Sequence, residues 1–315
     1  MKLKLNTVMV AASVLLVTTG AHANFTNAVQ NGGNSSVAFV AITNDGSLSL
    51  AVDLGVFMTD FLAGPGTQGV PVGATTVAGS LSGPNTIGSW NFSNNSFRIN
   101  GVLQSGTNSW GAVGSFLTAA AAPGVGGYKW GVIAADGIVT GSGAINPVQG
   151  QNLLFTGTNV DFTLGVAGIN NSTMGGGSGA VSSFFVQNNG TGSHAPGVSG
   201  SSTASSGGPY LGQALAQGGL GNFGRDFGSN DFLNDPGTVS RFTWATTGPG
   251  FGTTAIYSIG AVYGAGADSL IPATFTWDAA NSTLIYAVPE PGTYALFLAG
   301  MVGVAVMVRR RLPRA

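Results

Sequence analysis

Short apolar runs separated by turn residues recur through the middle of the chain, and this pattern predicts β-strands. The first two runs, 36–42 and 47–55, are joined by Asn-Asp-Gly, and the second run alternates with period two. Asn, Asp and Gly between apolar runs favour a tight hairpin turn. The same argument predicts hairpins at 89–103 and 273–287. Further strands are predicted at 128–135, 153–156, 161–166, 182–187, 237–246 and 253–263.

Two stretches have the features of helices. Residues 110–122 are rich in alanine, with Ser109 as a candidate N-cap and Pro123-Gly124 as a stop signal. Residues 210–217 fit a second, shorter helix, and 56–62 fits a helix or a strand. Loops are predicted from their Gly, Ser, Thr and Asn content at 64–88, 175–179 and 188–208, the last of which is expected to be mobile and exposed.

Many short strands with turn residues between them predict an all-β protein. We expect a single jelly-roll-like β-sandwich body with one or two short helices. A β-solenoid is the alternative, but the chain has no clean repeat between about 18 and 30 residues. The core is expected to hold the tryptophans, and an exposed sugar-stacking platform is the alternative for one or two of them. These residues are Trp90, Trp110, Trp130, Trp244 and Trp277.

The end of the chain combines three features in a fixed order. Val288-Pro289-Glu290-Pro291-Gly292 holds the only glutamate of the chain in an open backbone, because each proline restricts itself and the residue before it. Residues 293–308 are uncharged and mostly apolar, and Arg309, Arg310 and Arg311 follow at once. The run is short for a bilayer core of ~30 Å, but flanking arginines extend the effective span. We predict a transmembrane helix at 293–308, with the basic end 309–315 in the cytoplasm.

This tail resembles the PEP-CTERM sorting signal of Gram-negative bacteria. The resemblance implies recognition by an exosortase, a membrane-embedded cysteine protease or transpeptidase, which would remove the tail near the motif. The precursor would be tethered in the inner membrane, and the processed body would reach the outer surface or the exopolysaccharide matrix. A plain C-terminal anchor is the alternative. Tails of this kind are also labelled "ice-binding protein C-terminal", but no feature of this tail would bind ice.

The front of the chain has the layout of a secretory signal peptide. Lys2 and Lys4 precede an apolar core at 8–17, and Ala21 and Ala23 supply the small residues that a signal peptidase reads. We predict export through the Sec system and cleavage after Ala23, which leaves Asn24 as the mature N-terminus. An uncleaved N-terminal anchor is the alternative, but the apolar core is too short to favour it. The predicted order is signal peptide 1–23, glycine-rich body 24–287 and sorting signal 288–315.

Charge excludes one class of partner. The body keeps four basic residues, Arg98, Lys129, Arg225 and Arg241, against ten aspartates. Binding to nucleic acid is therefore not expected, since it depends on clustered Lys and Arg. The chain has no cysteine, so an exported body must draw its stability from burial and hydrogen bonds rather than disulfides.

Candidate catalytic groups are sparse. His194 is the only histidine of the body, and its place in the stretch 188–208 predicts a solvated loop residue. Asp226, Asp231 and Asp235 are calcium candidates because they cluster in a loop rich in Gly and Asn, although their spacing matches no standard calcium loop. Zinc chemistry would need three or four Cys, His or carboxylate ligands. We expect no catalytic residue and no required cofactor.

Together these features predict a non-enzymatic, exported structural or adhesive protein of the cell surface or biofilm matrix, in contact with exopolysaccharide or surface glycans. A carbohydrate-binding module that uses exposed tryptophans is the first alternative. A secreted hydrolase that uses paired aspartates is the second.

Overall fold

The computed structural model describes residues 25, 35–61, 80–82, 85–136, 152–157, 171–195, 197–216, 233–247, 254–258 and 273–288. Within these residues the strands are β1 (Ser36–Thr43), β2 (Ser49–Phe57), β3 (Ile87–Asn91), β4 (Ser96–Ile99), β5 (Val102–Leu103), β6 (Thr107–Ser109), β7 (Tyr128–Asp136), β8 (Asn152–Gly157), β9 (Val198–Ala204), β10 (Val239–Thr247), β11 (Thr254–Ser258), β12 (Thr274–Asp278) and β13 (Thr283–Ala287). The helices are α1 (Met58–Phe61), α2 (Ala112–Ala120), α3 (Asn171–Asn188) and α4 (Leu211–Ala216).

The strands join into one sheet in the order β5-β4-β3-β13-β12-β10-β8-β7-β1-β2-β9-β6, and β11 pairs with the second half of β10. The all-β class is confirmed, and so are the three predicted hairpins, which are β1–β2, β3–β4 and β12–β13. The two predicted helices are present as α2 and α4. The predicted strand at 161–166 lies outside the described residues.

The sheet curls until its two halves face each other. Four strand spacings separate β1 from β12 in the sheet order, which in a flat sheet would place them about 19 Å apart. The rings of Phe39 in β1 and Trp277 in β12 nevertheless have centroids only 5.0 Å apart. The two layers of the predicted sandwich are therefore two parts of one curled sheet.

The concave side of the sheet encloses the larger core. Every second residue of β12 and β13 points into it, including Phe275 and Tyr286. Helix α2 adds Val113 and Phe116 to the same cluster. The tryptophans Trp90, Trp110, Trp130 and Trp277 are fully buried there, which confirms the predicted core position for these four.

Helices α3 and α4 cover part of the convex side, over β1, β2, β7, β8 and part of β10. Phe184 and Phe185 of α3 and Leu211 of α4 pack there against strand residues that include Val40 and Ile133. The central strands are consequently buried on both faces, and β1 reads as a nearly continuous buried run.

Helix α3 corrects two predictions. The loop predicted at 175–179 and the strand predicted at 182–187 are both helical. Glycine weakens a helix by about 1 kcal/mol relative to alanine, which is why the glycines argued for a loop. Packing of Val181, Phe184 and Phe185 on the sheet outweighs that cost. Their i, i+3, i+4 spacing is the helical signal that the sequence carried.

The prediction of a mobile, exposed segment at 188–208 is also wrong. Strand β9 pairs with β2 on one side and β6 on the other, and it buries Ser199, Ser201 and Ser202. A Cβ at Gly200 would lie 2.6 Å from the backbone nitrogen of His194, so glycine is needed where the chain passes over β9. Low sequence complexity here reflects close packing of small residues.

Two further predictions concern the residues at the start of helices α2 and α1. Ser109 does not cap α2, because it ends β6 and the N-cap residue is Gly111, without a side-chain hydrogen bond. Of the stretch 56–62, residues 56–57 end β2, residues 58–61 form helix α1, and residue 62 lies outside the described residues. Of the helices in the described part of the chain, none is both long and apolar enough to cross a membrane. The predicted transmembrane segment 293–308 lies outside that part.

Candidate functional site

The described part of the folded body extends into the first residue of the predicted sorting motif. Strand β13 lies between β12 and β3, and Val288 follows it at once. The side chain of Val288 is 3% exposed and packs in the larger core. Its backbone N–H donates to the carbonyl oxygen of Thr86 at 2.9 Å. The first residue of the motif is therefore part of the folded body.

The other predicted processing residues lie outside the described part of the chain. They are the motif residues Pro289, Glu290, Pro291 and Gly292, the arginines Arg309, Arg310 and Arg311, and the signal-peptide residues Ala21, Ala23 and Asn24.

The body also holds the residue that follows the predicted mature N-terminus. Phe25 is 1% exposed, and its ring stacks on that of Phe185 with centroids 4.6 Å apart. Its N–H donates to Asn189 Oδ1 at 2.7 Å, and Asn189 Nδ2 donates to its carbonyl oxygen at 2.8 Å. Phe25 and Val288, one beside each predicted processing point, are thus both fixed by packing and hydrogen bonds.

Strand β13 ends beside a part of the sheet surface that helices α3 and α4 leave uncovered. Because alternate residues of a strand point to opposite faces, the neighbours of the core residues on β3, β4, β10, β12 and β13 point to the convex side. The register gives two rows of such residues, which we call the bare face. The row nearest Val288 is Arg241, Thr274, Ala287 and Ile87. The next row is Val239, Thr276, Ile285, Ser89, Arg98 and Leu103.

Large apolar side chains are exposed on the bare face. Ile87 is 50% exposed, Leu103 57% and Val239 59%. Val102, beside Leu103 on the edge strand β5, is 59% exposed. Among the described residues one further large apolar side chain is exposed to this degree, that of Val186 on α3. Three of the five exposed large apolar side chains of the described residues, Ile87, Leu103 and Val239, therefore lie on the bare face.

Charge is unevenly distributed over the same surface. The bare face carries the exposed residues Arg98 and Arg241, two of the four basic residues of the body. Arg98 Nη1 donates to the carbonyl oxygen of Gly101 at 2.9 Å, which holds the guanidinium by the β4–β5 turn. Asp278 and Asp235 lie at the opposite end of these strands, beyond Thr276 and Val239. The end of the face nearest the tail is thus basic and apolar.

The buried tryptophans are not available for stacking on sugars. Each indole N–H is used inside the protein, donating to Leu54 O from Trp90, to Asp53 O from Trp110, to Asp235 O from Trp130 and to Tyr128 Oη from Trp277. The side chain of Trp244 lies outside the described part.

The calcium candidates are only partly described. Asp235 is exposed, and its carboxylate lies 3.6 Å from Lys129 Nζ, so it faces a cation of the protein itself. Asp226 and Asp231 lie outside the described residues. Within the described ranges, no group of three or more His, Asp or Glu side chains is arranged to hold a metal ion.

His194 is buried, which corrects the prediction of a solvated loop residue. It is 7% exposed, and its ring lies 4.6 Å from that of Phe25. His194 Nε2 lies 3.2 Å from Ser202 Oγ, which donates to Asn188 Oδ1 at 2.7 Å. Burial lowers the pKa of His194 to about 4, so the ring is neutral at pH 7. These side chains tie β9 to the end of α3.

A second buried ionisable group lies on β2. Asp53 is fully buried, and its Oδ1 accepts a hydrogen bond from Gly55 N–H at 2.9 Å. Its Oδ2 has no hydrogen-bond partner among the described residues. Burial raises the pKa of Asp53 to about 8, so the carboxyl is mostly protonated at neutral pH. Sequence reasoning missed this group, because period-two alternation alone would place Asp53 on a solvent face.

Comparison with known proteins identifies the tail. A family model of the PEP-CTERM protein-sorting motif matches residues 287–311, from the last residue of β13 to Arg311. The class is therefore that of exported proteins processed by an exosortase at the membrane. The chain therefore carries the PEP-CTERM sorting motif that its last residues predicted. Searches of curated proteins and of solved structures found no match.

Proposed function

We propose that the protein is a structural or adhesive component of the cell surface or the exopolysaccharide matrix, delivered as a folded body and freed from its tail by an exosortase. The junction at Val288 carries this proposal. Because the motif starts where β13 ends, with no linker between them, the exosortase meets a body whose last strand lies in the interior of the sheet.

A non-catalytic role accounts for the placement of the ionisable groups. Asp53 and His194 are enclosed, and both are neutral at pH 7. Asp45 and Asp278 are at the surface, and each accepts hydrogen bonds from its own turn, from Ser47 and Asn281 respectively. Aspartates used in this way stabilise turns. We therefore assign the body a binding or structural role in contact with exopolysaccharide or surface glycans.

Neither alternative is supported by an observation of its own. A module that stacks sugars on tryptophan would have to do without Trp90, Trp110, Trp130 and Trp277, which are all buried. A hydrolase with two opposed carboxylates would need such a pair in a cleft, and the buried Asp53 has no second carboxylate among its hydrogen-bond partners.

Neutralising the tail arginines tests the proposal. Replacing Arg309, Arg310 and Arg311 with glutamine removes the charge that holds the chain end in the cytoplasm. We expect unprocessed or mislocalised precursor on immunoblots of membrane and matrix fractions. Arg314→Gln is the matched control, which changes one charge outside the cluster and should be processed normally. Normal processing of the triple variant in cells with active exosortase would contradict the proposal.

A further inference from the structure

We propose that the bare face docks on the outer leaflet of the inner membrane while the tail is still attached. The partner is a lipid surface with anionic headgroups, and docking orients the body beside the enzyme that cuts it. This inference rests on the proposed function in one respect: residues 293–308 must anchor the precursor in the bilayer.

The tether keeps the body close to the bilayer. Four residues, 289–292, separate Val288 from the apolar run. An extended chain spans at most ~3.6 Å per residue, so this linker reaches about 14 Å. Val288 is fixed in the core and cannot lengthen the tether. A protein surface near Val288 must therefore lie at the bilayer, and the nearest row of the bare face, Arg241, Thr274, Ala287 and Ile87, borders this point.

The chemistry of the bare face fits a lipid interface. Membrane-surface proteins place apolar side chains at the acyl boundary and basic side chains at the headgroups. Ile87 and Leu103 supply the apolar contacts, and Arg98 and Arg241 supply the positive charge. Each basic residue near an anionic surface strengthens such binding within a Debye length. Asp278 lies at the far end of the face, where repulsion from anionic lipid is least.

Placement argues against incidental exposure. Where the convex side has a partner within the chain, over β1 and β7, its apolar residues are buried under α3 and α4. On the bare face, Ile87 of β3 is exposed beside the end of β13, and Val239 of β10 and Leu103 of β5 are exposed farther along the same face. Apolar side chains gathered on one face together with Arg98 and Arg241 suit an interaction surface.

The test uses the cysteine-free chain. Single-cysteine precursors, Leu103→Cys and Val239→Cys on the bare face and Val186→Cys on α3 as the matched control, are labelled with an environment-sensitive fluorophore. Full-length precursor is reconstituted into vesicles of phosphatidylethanolamine and phosphatidylglycerol. We expect nitroxide-labelled lipid to quench the labels at 103 and 239 severalfold more than the label at 186. Equal quenching at all three positions would overturn the proposal.

Two further arms separate the lipid from other occupants and from the anchor. The double variant Arg98→Gln with Arg241→Gln should lose quenching at 103 in anionic vesicles more than in vesicles of neutral lipid. If the label at 103 is shielded only at high protein density and is not quenched by the lipid, the face binds a second copy of the chain. That result would overturn lipid docking. Precursor that fails to co-sediment with vesicles would refute the anchor and thus the proposed function. Co-sedimentation and normal processing without quenching at 103 would refute docking alone.

Discussion

The two parts of the convex sheet surface differ in what covers them. Over β1, β2, β7, β8 and part of β10 two helices bury the surface, whereas over β12, β13, β3 and β4 no helix of the described residues covers it, and Val288 lies at one end of this part. The same sheet thus carries a part that is covered within the chain and a part that we propose meets a lipid surface. Val288, the first residue of the sorting motif, lies beside the second part.

The sequence patterns of the two parts differ as expected from their burial on one face or on both. Strand β1, buried on both faces, reads SVAFVAIT, a nearly continuous run. Strands β12 and β13 read TFTWD and TLIYA, with every second residue in the core. A strand covered on both faces has no polar side, whereas a strand with one solvated face alternates.

The largest contrast is expected from a charge placed on each part. Val40→Asp puts a carboxylate under α3 and α4, at a position with no exposed surface. A buried, unpaired charge should cost more than about 4 kcal/mol of the free energy of unfolding. Val239→Asp on the bare face is the control and should change it by about 0.5 kcal/mol or less. Urea unfolding of the two variants gives both values. Similar losses would show that the bare face is covered within the protein.

An intermediate effect is expected from the buried carboxyl of the covered part. Its raised pKa, about 8, gives Asp53 a contribution to stability that is present below pH 4 and lost as pH rises through 8. The lowered pKa of His194, about 4, gives a contribution that is present above pH 6.5 and lost as pH falls through 4. The slopes that the two groups give to the free energy of unfolding against pH cancel between pH 4 and 6.5. From pH 6.5 to 8 the slope from Asp53 alone remains.

The free energy of unfolding of the wild-type protein should therefore fall by about 2 kcal/mol between pH 6.5 and 8, and Asp53→Asn should abolish this fall. Urea denaturation at several pH values measures this fall. Asp278→Asn, at an exposed turn, is the control and should keep the wild-type profile. A wild-type protein with equal stability at pH 6.5 and 8 would show that Asp53 is ionised in the fold.

The smallest effect is expected at the turn on the edge of the bare part. Gly101 has φ +81°, so Gly101→Ala should cost about 1 kcal/mol through backbone strain, although no atom lies within 4 Å of the new Cβ. Gly114→Ala in α2 also meets open space. Because the backbone at this position is helical, Gly114→Ala should raise the free energy of unfolding by about 0.5–1 kcal/mol. Opposite signs in thermal unfolding support this reading of the turn, and a neutral Gly101→Ala would contradict it.

The accuracy of the sequence-based predictions differs between the two parts of the sheet. The bare part was predicted well, since its hairpins have local turn signals such as Ser93-Asn94-Asn95 and alternate regularly. In the covered part the strands β1, β2, β7 and β8 and helix α4 were predicted, but α3 and β9 were missed, because they owe their structure to distant packing partners. Phe185 and His194 illustrate this, since each meets Phe25 from more than a hundred residues away. The tail was predicted from its motif, but the burial of Val288 needed the fold.

Intact mass of the protein recovered from cells with and without active exosortase tests the central claim most directly. The account predicts a processed chain that keeps Val288 at or near its new C-terminus, and unprocessed tail when the exosortase is absent. A cut within β13, or the same mass in both kinds of cell, would contradict it.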